Sequence, residues 1–219
     1  MIQEAFQCLK VKPGEMDLLW LRGYRHFGTL FFRYDTAEHG HQKAHVTPLR
    51  IDLNQFVLSK SQKRIIKRNG DLRVVFRDAF IDEAKYRLFD IHKRRFKENV
   101  PGDLCDFISP VPAEVPCHTL ECCLYKGDHL LGAGFLDMGD KAASAAYTVY
   151  DTAYPKRSLG IYILLMEISY ALGRGMHYLY HGYAYREDSF YDYKKKFAGL
   201  EYYDWQGHWL PMRRADHEG

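Results

Sequence analysis

The pattern of apolar and polar positions is most regular in the second half of the chain. Three apolar runs, Leu120–Lys126, His129–Met138 and Ala143–Tyr150, are separated by short turns at Gly127-Asp128 and Gly139–Ala142. Strand-like runs joined by tight turns predict an antiparallel meander. Leu159–Gly173 then reads as a helix and Met176–Tyr185 as a further strand. Ser189–Phe197 reads as a short helix, followed by a last strand at Tyr202–Trp209. The helix assignments rest on length and apolar spacing, the strand assignments on aromatic content and bounding glycines.

The first half alternates less cleanly. Asp17–Tyr24 is apolar and partly aromatic, closed by Gly23, and Gly28–Tyr34 looks like a strand. Asp35 to Thr47 is polar, His-rich and loop-like, and Pro48–Asn54 resembles a short strand. Ser59–Arg68 opens on capping hydroxyls and reads as a basic helix ended by Asn69-Gly70. Asp71–Arg77 reads as a strand and Asp82–Asn99 as a helix with an acidic start and a basic end. Val100–Pro116 carries four Pro and reads as a connecting segment. These elements predict an N-terminal α+β region over 1–100 and a core over 101–219. Meander, helix, strand, helix, strand is the order of a GCN5-type N-acetyltransferase core. The expected fold class is therefore α/β of the α+β type, and fold-level analogy extends only to acyl transfer.

Composition narrows this little. With 219 residues and 47% hydrophobic content, the chain can bury a sizeable core. Its net charge of +3 points to no partner class. Met1–Gly14 lacks the apolar centre of a secretory leader, and no apolar run has the length to span a bilayer. Five Cys are an odd number, and Cys122-Cys123 reads as a buried thiol pair within a strand. The expectation is a reducing, cytoplasmic compartment with no membrane partner.

Two segments carry candidate chemistry. From Tyr147 to Gly160 an aromatic strand stops at Asp151, turns through Pro155, and enters Lys156-Arg157-Ser158-Leu159-Gly160 at a helix start. Ser158 is expected to cap that helix, and Gly160 to allow close approach of a phosphate or another chain. Free amides beside two cations make an anion site. The competing reading is an ordinary strand–turn–helix connection with two solvated charges. The second segment is the basic helix. Lys60, Lys63, Arg64, Lys67 and Arg68 fall at spacings of three and four and form one stripe, with Ile65 and Ile66 facing a core. Such a stripe tracks nucleic-acid phosphates or is simply a solvated face. Lys85–Lys97 is basic too, and is expected to be solvated surface.

Several motifs together resemble one family. They are Arg22-Gly-Tyr-Arg-His-Phe-Gly, Phe31-Phe-Arg, Pro48-Leu-Arg-Ile, Ser59-Lys-Ser-Gln-Lys-Arg and Arg68-Asn-Gly-Asp-Leu, then Tyr147–Asp151, Arg157-Ser-Leu-Gly, Tyr183, Tyr193-Lys194, Phe197, Glu201 and Trp209. In this order they resemble the bacterial aminoacyl-tRNA–protein transferases, the arginyl/leucyl-transferases of the N-degron pathway. The resemblance implies an acetyltransferase-like fold. It also implies transfer of Arg or Leu from charged tRNA to the α-amine of a protein that begins with an acidic residue, with no DNA partner.

For such a reaction the resemblance implies the following roles. Arg157 and the amides of Ser158, Leu159 and Gly160 hold the phosphate of the terminal nucleotide. Lys60, Lys63, Arg64 and Lys67 contact the tRNA body. Asp151 polarises or orients the amine, with turn capping as its other reading. Tyr183, Tyr193 and Lys194 line the opposite side, with a tyrosine stacking on adenine and Lys194 pairing the acceptor's acidic side chain. Tyr183 reads equally well as a core residue. An acyl-CoA N-acyltransferase and a non-enzymatic protein-binding relative remain alternatives. Tyr162 stands where acetyltransferase turns have a small residue, which discourages a CoA pyrophosphate.

One departure concerns cofactors. Family members carry a Cys cluster between the Phe-Phe-Arg and Pro-Leu-Arg segments, whereas this chain has His39, His41 and His45 there and no Cys. An iron–sulfur cluster needs thiolates, so none is expected and no cofactor is required. The three imidazoles either bind Zn or are solvated.

Overall fold

The computed structural model describes residues 1–39, 42–96, 100–187 and 189–212. In chain order the strands and helices are β1 (Gln3–Gln7), α1 (Pro13–Leu21), β2 (Arg25–Phe27), β3 (Leu30–Tyr34), β4 (Thr36–His39), β5 (Gln42–Asp52), α2 (Lys60–Arg68), β6 (Arg73–Asp78) and α3 (Glu83–Lys93). They continue with β7 (Thr119–Lys126), β8 (His129–Met138), β9 (Ala142–Tyr150), α4 (Leu159–Gly173), β10 (Tyr178–Tyr185), β11 (Leu200–Tyr203) and β12 (Trp209–Pro211).

The expected meander is β7-β8-β9, extended by β6 along the other edge of β7. The main sheet runs β12-β11-β5-β10-β9-β8-β7-β6. Strands β1, β3 and β2 form a small antiparallel sheet of their own. Alternation explains why the meander is apolar throughout. Cys122 and Leu124 of β7 pack with Tyr162 and Ile163 of α4 on one face, and Cys123 packs with Leu88 and Phe89 of α3 on the other. Burial on both faces fixes the register, because a slip by one residue would exchange the two sets. The fold is α+β, with the helix-covered meander expected of an acetyltransferase-like core.

Four expectations change. Within the polar segment 35–47, β4 pairs antiparallel with β5, Thr36 opposite His45 and His39 opposite Gln42. The expected boundary at 100/101 runs through one sheet, since β5 lies between β11 and β10 and β6 pairs with β7. The predicted final strand is instead a hairpin of β11 and β12, joined to β5 through β11. Finally, Lys85 is fully buried rather than solvated. Its ammonium lies 3.0 Å from Glu121 and 3.3 Å from Asp82, and 3.8 Å from the centre of the Phe80 ring. Two carboxylates and an aromatic face compensate its lost hydration.

Candidate active site at the splayed strands

Strands β9 and β10 pair in parallel only over Ala142–Ser144 and Tyr178–Tyr180. Beyond that point both strands are irregular. In β9 the register against β8 shifts between Tyr147 and Ala145, leaving Ala146 extra. In β10 the register against β5 shifts between Tyr180 and Gly182, leaving His181 extra. Bulges bend strands and re-aim side chains. The two strand ends, no longer paired with each other, flank a cleft of about 680 Å³ that reaches from His181 and Glu167 to the first turn of α4.

Polar groups without partners gather in this cleft. Glu167, on α4, is fully buried, and neither carboxylate oxygen has a hydrogen-bond partner. Desolvation, with Asp137 nearby, pushes its pKa well above the usual carboxylate value. His181 is buried with both ring nitrogens unpartnered, its ring edge-on to Phe197 at 5.5 Å. Burial, with Lys194 and Arg25 adding repulsion, holds its pKa well below the usual imidazole value. The Tyr147 hydroxyl is also unpartnered, while its ring stacks on Phe107 at 4.3 Å. Lys194 donates to the Tyr183 carbonyl at 2.9 Å. Desolvation and the nearby Arg25 lower its pKa to about 7. Arg25 donates to Ser144 Oγ and, at 2.7 Å, to the Ala145 carbonyl.

The turn at the mouth is built differently from expectation. Ser158 adopts a left-handed conformation (φ 53°, ψ 48°), and its side chain makes no capping bond. Its carbonyl accepts from Tyr162 N at 3.0 Å, so the helix starts there, and the amides of Leu159, Gly160 and Ile161 lack partners four residues back. These three residues line the cleft. The close approach that Gly160 permits is to the Tyr150 ring, since a Cβ at 160 would lie 2.8 Å from it. Tyr162 is buried with Leu72, Cys122 and Leu131, so it does not obstruct the first turn. Asp151 lines the mouth, and its Oδ1 accepts from Ala153 N at 2.9 Å, the turn-capping role.

Arg157 is not open to solvent as a lone phosphate ligand. It makes a two-pronged pair with Asp71 at 2.7 and 2.8 Å, and its carbonyl accepts from Asn69 Nδ2 at 2.8 Å. Arg68 also donates to the Lys156 carbonyl. The anion-type turn is thereby joined to the end of α2. Along α2, Lys60, Lys63, Arg64 and Lys67 are exposed, while Ile65 and Ile66 pack on the core. Ser59 and Gln62 of the motif form a reciprocal capping box at 3.2 and 2.9 Å, so those two residues serve the helix start.

Of the other expected site residues, Tyr193 and Lys194 line the cleft and Tyr183 does not. The Tyr183 hydroxyl donates to the Gly23 carbonyl at 2.7 Å, anchoring β10 to the turn after α1. Of the His-rich segment, His41 and the side chain of His39 lie outside the described residues. The backbone positions of His39 and His45 are three ladder steps apart, about 10 Å. The His45 ring meets Glu187 Oε1 at 2.7 Å. Among the described residues, His26, Cys117 and Asp137 come together, with ligand atoms within 4.8 Å of one another. Their donors are largely spent: His26 meets Gly28 O and Asp137 Oδ2, each at 2.9 Å, and Thr119 donates to Asp137 Oδ1 at 2.7 Å. Burial pushes the Cys117 thiol up, away from the thiolate a metal needs.

The sequence reading missed Glu167, His181 and Arg25. A lone acidic residue inside the apolar run Ile161–Ile168 was the available signal for the first.

A family model described as "Arginine-tRNA-protein transferase, C terminus" matches residues 26–204. An aspartate/glutamate leucyltransferase of Leptospira interrogans is 33% identical over 151 residues, which are 67% of this chain and 59% of that protein. One of Marinobacter nauticus is 29% identical over 194 residues, covering 87% of this chain and 79% of that protein. Among solved structures, L-PGS from Bacillus licheniformis superposes with a TM-score of 0.49 at 11% identity, covering 72% of this chain and 59% of that one. Among the described residues no helix is long and apolar enough to cross a membrane.

Proposed function

Given that this chain belongs to the arginine-tRNA–protein transferase family, we propose that it moves an aminoacyl group from charged tRNA to the α-amine of an acceptor protein beginning with an acidic residue. The observation that carries this reading is continuity. The exposed basic stripe of α2, the Arg157 turn tied to it, and the cleft between β9 and β10 form one path from a basic surface to a buried polar centre.

In this reading the acceptor end of the tRNA enters past Tyr154 and Pro155, with a phosphate near the α4 amides and Lys156. Tyr193 offers a ring for the terminal adenine. The acceptor's acidic side chain meets Lys194 and Arg25, two desolvated cations that repel each other and that a carboxylate would reconcile. The names of the relatives, which specify aspartate and glutamate, support an acidic acceptor. Neutral His181 accepts a hydrogen bond from the α-amine and holds it toward the ester carbonyl. A C–N bond forms, the ester C–O bond breaks, and the amine's proton ends on the released ribose oxygen. An α-amine titrates near neutrality, so no strong base is required. The Tyr147 hydroxyl is a donor for the oxyanion. The five free thiols and the tRNA donor support a cytoplasmic setting.

The test is acceptor discrimination. Peptides beginning with Asp, Glu, Ala and Lys are incubated with charged tRNA, and the extended product is read by mass. Extension of the Asp and Glu peptides alone supports the reading; equal extension of all four refutes the acidic preference.

A further inference from the structure

The two carboxylates buried most deeply near the sheet are treated oppositely. Glu121 is fully buried and fully compensated, with Lys85 at 3.0 Å and Arg77 at 2.6 Å. Glu167 is equally buried, and both its oxygens are unpartnered in a cleft wall. Buried carboxylates are ordinarily paired or hydrogen-bonded, because an unpaired one loses its hydration without return. The chain also makes room for this one. The Glu167 carboxylate lies over Gly134 of β8, where any side chain at 134 would collide with it and with Ile163. The same cleft is also lined by Ala145, Ala146, Ile161 and Leu164, an apolar sleeve suited to a methylene chain.

We infer that Glu167 is the floor of a subsite for a cationic side chain on the transferred aminoacyl group, a guanidinium or ammonium at the end of an aliphatic stem. This rests on the aminoacyl-transfer reading and sharpens it. The matching family model names arginine and the curated relatives name leucine, and an unpartnered buried acid selects the cationic donor over the apolar one. An arginyl stem fills the apolar sleeve, and its fork makes parallel hydrogen bonds to both Glu167 oxygens. A leucyl group would fill part of the sleeve and leave the carboxyl as it is now, desolvated and unpaired. In the empty cleft, burial favours the protonated acid, so cation binding expels a proton.

Two readouts test this with the full chain and Glu167→Gln, which keeps shape and removes charge. The first is binding of L-arginine methyl ester and L-leucine methyl ester by calorimetry. Both probes carry an α-ammonium, and only the first carries a side-chain cation. The parent is expected to bind the arginine ester at least about 10-fold more tightly, and Glu167→Gln to abolish that preference. The second is the ratio of kcat/KM for arginyl-tRNA and leucyl-tRNA. Glu167→Gln is expected to lower the arginyl value about 10- to 100-fold and leave the leucyl value within about twofold. Equal losses for both donors, or equal binding of both esters by the parent, would overturn the inference. If the esters discriminate as expected while neither tRNA is used, the cation subsite stands and the aminoacyl-transfer reading falls. Unchanged thermal midpoints for the Gln variant exclude misfolding as the cause.

Discussion

Arg157 and Asp71, 86 residues apart in the chain, form a two-pronged ion pair with N···O distances of 2.7 and 2.8 Å. The pair joins the turn at the cleft mouth to the end of the basic helix. Asp71 also has its pKa lowered, first by the hydrogen bonds from Arg157. The pair's consequence is geometric: it orients the α2 stripe relative to the α4 amides. Arg157→Ala and Asp71→Asn should therefore each lower kcat/KM for charged tRNA about 10-fold, and the double variant should fall no further than the worse single one. Losses that multiply would show that the two residues act separately, with Arg157 on a phosphate.

The α2 stripe is exposed and its apolar face is packed, so its charge can be altered without disturbing the core. Replacing Lys60, Lys63 and Lys67 by Glu should weaken tRNA binding. The slope of log affinity against log salt should become shallower by roughly 0.7–0.9 for each phosphate that is no longer neutralised. Binding of an Asp-initiated peptide should not change. Affinity measured across a salt series checks both.

His92 couples acid stability to the cleft wall. Its Nδ1 accepts from the Tyr150 amide at 3.2 Å, and burial, with Arg95 beside it, lowers its pKa from 6.5 to about 4. Between these values the unfolded chain binds a proton that the folded chain does not. Stability therefore falls as pH drops from 6.5 toward 4, by about 3 kcal/mol for this group once both forms are protonated. The urea midpoint of His92→Gln should fall less than that of the parent between pH 7 and pH 4.5. Parallel declines would show that His92 is not the group responsible.

Much of the fold was legible because the meander has two turn signals and strands buried on both faces. The α4 helix was legible because its apolar run is long. The pairing of β4 with β5 was not, because β4 pairs only along β5 and carries polar residues such as Glu38, set opposite Lys43 of β5, which resemble a loop. Lys85 was misjudged because its partner Glu121 comes from a strand distant in sequence. In the candidate site, local motifs pointed to Ser158–Gly160, Tyr193 and Lys194, which line the cleft, and to Arg157, whose guanidinium pairs with Asp71. Glu167 and His181 were missed because their significance is the absence of a partner, which only the folded surroundings reveal.

Gly134 gives a steric check on those surroundings. A methyl group there would meet Ile163 and the Glu167 carboxylate closer than van der Waals contact allows. Gly134→Ala should cost about 1–3 kcal/mol of stability, measured by urea unfolding, and should impair donor use more than acceptor binding. A neutral effect on both would mean that Glu167 has room to move away.

Aminoacyl transfer is tested most directly by offering the purified chain three donors at once with an Asp-initiated peptide: arginyl-tRNA, leucyl-tRNA and acetyl-CoA. The mass of the peptide product is then measured. The expected product is a peptide extended by one aminoacyl residue at its α-amine, taken from charged tRNA. An acetylated peptide, or an unmodified one in the presence of fully charged tRNA, would contradict it.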